Sequence, residues 1–173
     1  EYESVMRASV GNEDIDYFAR YKVEDAAKAV TRLGLGPNPR ILDLGAGVGA
    51  SVQHFNANFD CSRPICVDVS SRSLELGVTQ HHNTADFVCF DGARLPFVDD
   101  SFDLVFAACV FHHIPRSQHA SLLAELSRVV RRGGVLMVFE HNPLNPLSRK
   151  VVRDCVFDEN AVLLRAADLQ SAM

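Results

Sequence analysis

Residues 41–49 read Ile-Leu-Asp-Leu-Gly-Ala-Gly-Val-Gly, a short apolar run that ends in alternating glycines. Such a run is typical of a buried strand. The glycines allow a sharp turn and let the backbone approach a ligand closely. Residues 49–59, directly after the loop, have the pattern of a helix. A strand, a glycine loop and a helix in this order predict the first unit of an α/β fold that binds a nucleotide-like ligand.

The rest of the chain continues this alternation. Further strands are predicted at 65–69, 87–90, 103–108 and 135–139. Helices are predicted at 14–33, 71–81, 118–131 and 160–173, where apolar residues recur at helical spacing. We interpret Gly133-Gly134 as the end of the third of these helices, whose last turn carries arginines. Pro143 and Pro146 should prevent regular structure directly after the fifth strand. The pattern favours a doubly wound parallel α/β sheet.

Composition restricts the class of protein. The 173 residues carry 17 Lys+Arg and 22 Asp+Glu, a formal net charge of −5, and 47% of them are hydrophobic. This is the size of a single domain, so we predict one domain over residues 1–173. The acidic excess disfavours nucleic acid as a partner, and no apolar run approaches the roughly 20 residues that span a bilayer. We therefore predict a soluble cytoplasmic protein without nucleic-acid or membrane partners.

The cysteines give no sign of a metal centre or a disulfide framework. There are five of them, without a C-x-x-C pair or a zinc-finger histidine spacing, and we predict no metal ion. Cys66, Cys89 and Cys109 lie within or beside apolar runs, which favours packing in the core over reactivity.

The glycine loop allows two classes of ligand. Residues 45–50 satisfy the G-x-G-x-x-A dinucleotide pattern with Asp68 downstream, so a NAD-dependent oxidoreductase is an alternative. Asp43, however, precedes the loop and would repel a pyrophosphate. Asp43, Asp68 and Asp91 each follow or end a predicted strand, so they should line one crevice at the carboxyl edge of the sheet. Three acids favour a cationic nucleoside without phosphates, and S-adenosylmethionine is such a molecule.

Five segments resemble class I S-adenosylmethionine-dependent methyltransferases of the small-molecule type. They are residues 41–49, 67–70, 90–97, 101–105 and 126–134, in the order and spacing of that family. The resemblance covers about residues 40–140 and implies S-adenosylmethionine as the cofactor. It also implies a Rossmann-like sheet with strand order 3-2-1-4-5. The family normally has two more strands, and this chain has sequence for five, so the resemblance implies a C-terminal truncation.

Carried over residue by residue, the resemblance implies a set of cofactor-binding positions. They are Asp43, Gly45, Ala46, Gly47, Asp68, Val69, Asp91, Gly92 and Ala108. Asp68 would accept both ribose hydroxyls, Val69 would pack on the adenine, and Asp91 and Gly92 would bind its amine and ring. Alternatives stay open at this point. Asp43 could instead order the loop, Asp91 could cap a turn, and Val69 could belong to the core.

Candidates for chemistry on the acceptor side follow the fourth and fifth strands. His112 and His113 could act as a general base or form a wall of the acceptor site, and Glu140 and His141 lie nearby in sequence. Residues 1–36 are predicted to form a helical lid, 37–140 the cofactor-binding core, and 141–173 part of the acceptor segment. Tyr17, Tyr21 and Lys22 are the candidate lid residues, and their alternative is an ordinary packing face.

These observations predict methyl transfer from S-adenosylmethionine to a small-molecule acceptor by in-line displacement. A noncatalytic cofactor-binding or interaction domain is the alternative from another class, and the NAD-dependent oxidoreductase ranks behind both. If the chain lacks the last two strands of the family, residues 135–139 form an uncovered sheet edge. That edge is predicted to be capped by the C-terminal segment or by a second copy in a homodimer.

Overall fold

The sheet consists of five parallel strands in the order β3-β2-β1-β4-β5. A computed structural model describes residues 12–60, 63–154, 158 and 161–171. The strands are β1 (Ile41–Leu44), β2 (Ile65–Asp68), β3 (Asp86–Cys89), β4 (Phe102–Ala108) and β5 (Val130–Phe139). The predicted Rossmann-like order is confirmed. Because β1 pairs with both β2 and β4, the connection after β3 crosses to the other half of the sheet, and the strand order changes direction at β1.

Six α-helices and one short 3₁₀ turn connect or flank the strands in the described part of the chain. The helices are α1 (Asn12–Arg32), α2 (Val52–Asn58), α3 (Ser71–His81), α4 (Arg116–Val129), α5 (Pro146–Asp154) and α6 (Ala166–Gln170), and the 3₁₀ turn is Phe111–His113. Helix α3 begins where predicted, because the hydroxyl of Ser70 accepts a hydrogen bond from the Ser73 amide.

Both faces of the sheet are buried, as the continuous apolar strands predict. Alternate residues of β1 and β4 enter two different clusters. Leu42 and Val105 lie in the cluster that includes α4, whereas Ile41 and Phe106 pack with α1 and α2. Helix α1 contributes Val23, Ala26 and Val30 to this second cluster, so one side of its second half packs against the core. Residues 1–11 of the predicted lid lie outside the described residues.

The end of α4 differs from the prediction. The helix ends at Val129, and β5 begins at once and runs through Gly133-Gly134, which are therefore not a helix cap. A register shift in the β4–β5 pairing accommodates this stretch. Gly134 lies so close to β4 that a Cβ atom there would stand 2.8 Å from the Asp103 carbonyl oxygen. The glycine is needed for this close approach of two strands, a tertiary requirement that outweighs the local pattern of a helix end.

The C-terminal region also departs from the prediction. Pro146 is the first residue of α5, a position where its missing amide hydrogen costs nothing. Within the predicted helix over 160–173, the described residues 161–165 are irregular and residues 166–170 form α6. Leu164 and Leu169 are buried in the cluster that contains α4. The segment therefore packs against a face of the domain.

Strand β5 lies at the edge of the sheet, and no other described strand pairs with its outer side. Its residues 135–139 are half-buried. Because the described C-terminal segment packs elsewhere, it does not supply the predicted cap as a paired strand. Pairing with a second copy stays a prediction.

Among the described residues, no helix combines the length and apolar character needed to cross a bilayer. Cys66 is buried in the core as predicted, and burial raises the pKa of its thiol. The prediction is wrong for Cys89, which is exposed because β3 is an edge strand. Cys61 and Cys155 lie outside the described residues.

Candidate cofactor and acceptor site

The glycine loop after β1 is held to the end of β2 by backbone and carboxylate contacts. Gly45 donates its amide hydrogen to the Val67 carbonyl oxygen at 2.8 Å. Asp68 accepts from the Gly47 amide at 2.9 Å through Oδ2 and from the Ser70 amide at 2.8 Å through Oδ1. Asp68 thus orders the loop, a role that the sequence analysis had considered for Asp43. Each carboxylate oxygen keeps a second lone pair for a ligand.

Two of the loop glycines have conformations that other residues rarely adopt. Gly45 has φ +68° and Gly47 has φ +56°. A Cβ atom at Gly45 would also lie 2.4 Å from Cγ2 of Val110. The loop therefore turns tightly against the segment after β4, so the carboxyl ends of β1, β2 and β4 meet there.

Asp43 is buried in β1 next to this loop. It is only 3% exposed, and no hydrogen bond from another described residue reaches its carboxylate. Burial and the negative charge of Asp68 raise the pKa of Asp43 to about 8, although the positive charge of Lys22 opposes the shift. A buried carboxylate without a donor is costly, and a cationic ligand at this end of the sheet would offset part of that cost.

Replacing Asp43 with asparagine should make the ligand-free protein more stable at alkaline pH. The folded chain keeps a proton on Asp43 that the unfolded chain loses near pH 4, so this stability contribution is full below pH 4 and lost as pH rises to about 8. The advantage of Asp43→Asn over wild type should therefore grow between pH 5 and 8, by up to about 1.4 kcal/mol per pH unit, and then level off. Urea denaturation across this range measures it. A difference that does not change with pH would show that Asp43 is ionised in the folded protein.

The segment after β3 presents the residues predicted to contact an adenine. Val69 is 62% exposed, so its alternative as a core residue is wrong. A Cβ atom at Gly92, whose φ is +83°, would lie 3.4 Å from Cγ1 of Val69. Asp91 accepts from the amides of Ala93 and Arg94 at 2.8 and 2.9 Å, which forms the turn considered for it. These hydrogen bonds lower the pKa of Asp91.

Arg128 of α4 holds the segment after β3 through hydrogen bonds to its backbone. Its guanidinium donates to the carbonyl oxygens of Phe97 at 2.8 Å and Leu95 at 3.2 Å. Glu125 binds Arg128 at 2.6 Å and accepts from the Leu95 amide at 2.8 Å. Arg128, an arginine in the last turn of α4, therefore holds the loop between β3 and β4.

A cluster of histidines and carboxylates lies at the ends of β4 and β5. Nδ1 of His112 is 2.6 Å from Oε2 of Glu140, and its Nε2 is 3.4 Å from Oδ1 of Asp158. Glu140 also accepts from the amides of Val110 and Phe111 at 2.9 and 2.7 Å. Burial lowers the pKa of His112, but the hydrogen bonds to Asp158 and Glu140 outweigh it and raise the pKa to about 9.

Two further histidines surround His112. His113 has a side chain that is 44% exposed, and its Nε2 lies 3.3 Å from the same Asp158 oxygen. The ring centroids of His141 and His112 are 5.4 Å apart. Burial and the charge of His112 lower the pKa of both His113 and His141. The structure thus brings together all the acceptor-side candidates of the sequence analysis.

Helix α1 reaches the site through Lys22, whose ammonium group donates to Sγ of Cys109 at 3.0 Å. Cys109 has φ +60° directly after β4, which turns the chain toward the site. Tyr17 and Tyr21 contact Phe18 and form an aromatic group on α1, in which Tyr17 and Phe18 are 53% and 40% exposed. Sequence reasoning missed Asp158, because no local pattern marks a residue that reaches the site from 46 positions beyond His112.

The fold and the acidic crevice agree with the protein family that the sequence matches. Residues 42–138, more than half of the chain, match the family described as "Methyltransferase domain". The chain belongs to this methyltransferase family. S-adenosylmethionine is accordingly the methyl donor that the family implies. The residues fit this cofactor, because the buried Asp43 carboxylate lacks a donor among the described residues and the exposed Val69 offers an apolar surface to an aromatic ring.

Two relatives of this methyltransferase domain are named demethylmenaquinone methyltransferase. It is 36% identical over 125 residues to the demethylmenaquinone methyltransferase of Mycolicibacterium paratuberculosis, which covers 70% of this chain and 50% of the relative. It is 33% identical over 120 residues to the demethylmenaquinone methyltransferase of Renibacterium salmoninarum, covering 68% and 48%. The chain thus spans about half the length of the curated relatives it matches.

Solved structures confirm the fold of the methyltransferase domain. A Haloferax volcanii protein in complex with the Trm112 methyltransferase activator has a TM-score of 0.68 at 19% identity, covering 99% of this chain and 74% of its own. A Thermotoga maritima S-adenosylmethionine-dependent methyltransferase has a TM-score of 0.66 at 22% identity, covering 92% and 70%. The [4+2]-cyclase SpnF has a TM-score of 0.66 at 20% identity, covering 89% and 54%. The fold alone therefore does not determine the reaction.

Proposed function

We propose that the protein transfers a methyl group from S-adenosylmethionine to a small-molecule acceptor. The observation that carries the proposal is the buried Asp43 carboxylate, which has no hydrogen-bond donor among the described residues and lies beside a glycine loop of the methyltransferase family. A sulfonium or ammonium group stabilises the ionised form of such a carboxylate, whereas the pyrophosphate of NAD would place further negative charge beside it and raise its pKa still more. This disfavours the oxidoreductase alternative.

The geometry of the crevice supports the cofactor-binding roles that the family resemblance implies. Gly45, Ala46 and Gly47 are proposed to pass along the cofactor with their backbone. Asp68 would bind the ribose hydroxyls with the lone pairs left by its two amide contacts. Val69 would pack on the adenine. The other proposed contacts come from Asp91, Gly92 and Ala108 at the neighbouring strand ends.

S-adenosylmethionine supplies a methyl group that is already activated for displacement. The protein then has to position the acceptor in line and exclude water, and a base is needed only for an acceptor that arrives protonated. His112 has both ring nitrogens directed at carboxylates, so it is proposed to shape the acceptor wall. His113 is more exposed and would meet the acceptor directly. Demethylmenaquinone, which the names of the relatives specify, is the first acceptor to test.

Calorimetric titration tests the cofactor proposal on this chain. S-adenosylmethionine and its demethylated product should both bind, and NADH should not. If neither cofactor form binds to a folded chain, the proposal is wrong. Methyl transfer is tested on the full-length protein with isotope-labelled S-adenosylmethionine and a panel of quinols and other small hydroxyl or amine compounds. Turnover with any of them would exclude a purely noncatalytic binding domain.

The finer predictions on location and partners also belong to this proposal. Cys66, Cys89 and Cys109 are free thiols, which supports a reducing compartment such as the cytoplasm. The net charge of −5 supports a small molecule over a nucleic acid as the partner. The outer side of β5, with which no other described strand pairs, supports a homodimer of this chain.

A further inference from the structure

The side chains of His112, His113 and Asp158 converge at the acceptor side of the site. The possible ligand atoms of these three side chains all lie within 4.8 Å of one another. Among the described residues, this is the group of histidines and carboxylates that could hold a metal ion. Nε2 of His112 and Nε2 of His113 lie 3.4 and 3.3 Å from the same carboxylate oxygen of Asp158. A strong charge-assisted hydrogen bond is about 2.7–2.9 Å long, so both separations are longer than those of such bonds.

The same separations fit a metal ion. A tetrahedral zinc site with bonds of about 2.0–2.1 Å has edges of about 3.3–3.4 Å between ligand atoms. Both nitrogen–oxygen distances agree with such edges. Two imidazoles and one carboxylate suit a first-row transition ion, whereas magnesium and calcium prefer oxygen ligands.

Glu140 supplies the supporting interaction that such a site needs. Its Oε2 holds Nδ1 of His112 at 2.6 Å, which leaves Nε2 directed toward Asp158. Its other oxygen is fixed by the amides of Val110 and Phe111. A carboxylate that binds the second nitrogen of a ligating histidine fixes the tautomer and orientation of its ring.

The burial of the three residues differs in a way that leaves the ion accessible. The side chains of His112 and Asp158 are 1% and 10% exposed, whereas that of His113 is 44% exposed. Three protein ligands at the rim of a site leave a fourth position open for an oxygen ligand, as in catalytic zinc sites.

We propose that His112, His113 and Asp158 form a binding site for a divalent transition-metal ion, Zn²⁺ in the first instance, with one open position. The sequence analysis predicted no metal, because the ligands do not follow a familiar spacing. The binding site itself does not depend on the proposed methyl transfer. Only the proposed role of the metal ion depends on methyl transfer. A hydroxyl group of the acceptor that binds at the open position would lose its proton more readily.

The test is equilibrium dialysis of the chelator-treated chain against ZnCl₂, with zinc measured in the protein fraction. The wild type should retain about one equivalent and gain thermal stability with zinc. His113→Ala and Asp158→Asn should each weaken zinc binding at least about tenfold. His82→Ala is the control, because His82 is exposed and its ring contacts Asn83 outside the cluster. It should bind zinc like the wild type.

Two results would overturn the proposal. One is a wild-type chain that retains no zinc at concentrations where it is folded. The other is retention by His113→Ala and Asp158→Asn equal to that of the wild type, which would place the ion on other groups such as the thiols. Circular dichroism confirms that each variant is folded. Titration with S-adenosylmethionine on the same samples separates loss of the metal from loss of the cofactor.

Discussion

Replacing Asp68 with alanine is expected to weaken the binding of S-adenosylmethionine by about 2–4 kcal/mol, roughly 30- to 1000-fold in Kd. Two effects combine. The carboxylate is proposed to bind both ribose hydroxyls, and these charge-assisted hydrogen bonds are lost. The same carboxylate holds the Gly47 and Ser70 amides, so its removal also leaves the glycine loop without its tie to β2. The ordering of the loop must then be supplied by the cofactor itself.

Calorimetric titration measures the effect, and Asp86→Ala is the matched control. Asp86 lies at the start of the neighbouring strand, is exposed, and pairs with Arg63. It is therefore at the amino end of the sheet, away from the proposed crevice, and its loss should leave the affinity within about twofold, or roughly 0.4 kcal/mol. An unchanged affinity in a folded Asp68→Ala protein would remove Asp68 from the cofactor site.

The central part of the fold could be predicted because its signals are local. The apolar run 41–44 and the glycines after it are adjacent in the sequence, and each demands the same strand and turn. The change from α4 to β5 could not be predicted in the same way. Val130–Phe139 contains a glycine pair that reads as a helix end, yet its conformation is decided by pairing with β4, which is distant in sequence.

The residues of the candidate site could likewise be predicted only where their signals are local. Asp43 and Asp68 could be recognised because they lie at or next to the carboxyl ends of strands that meet at one edge of the sheet. The different roles of these two carboxylates could not be predicted from the sequence. Whether Asp43 or Asp68 orders the loop depends on which carboxylate reaches the Gly47 amide in the folded chain. Asp158 was out of reach for a similar reason, because only tertiary packing brings it to His112.

Replacing Glu140 with alanine should lower the free energy of unfolding by about 3–5 kcal/mol. This is the largest loss of stability expected from any substitution proposed for this protein. The side chain is 8% exposed, and its two oxygens accept from three donors, the amides of Val110 and Phe111 and Nδ1 of His112. Alanine leaves these donors without a partner in a site that water hardly reaches, and each buried unsatisfied group costs about 1–3 kcal/mol. Because the loss exceeds that of one hydrogen bond, the effect should be visible as a clear decrease in the urea midpoint.

Two companion variants separate the buried hydrogen bonds from a general effect of losing a glutamate. Glu75→Ala on the exposed face of α3 should change the free energy of unfolding by less than about 0.5 kcal/mol. Glu140→Gln keeps one carbonyl oxygen for the two backbone amides and should recover part of the loss, since only the charged contact with His112 is then changed. All measurements are made with a chelator present, so that loss of a bound ion does not contribute. If Glu140→Ala is as stable as the wild type, the segment after β4 is held by other contacts, and Glu140 cannot be the residue that positions His112.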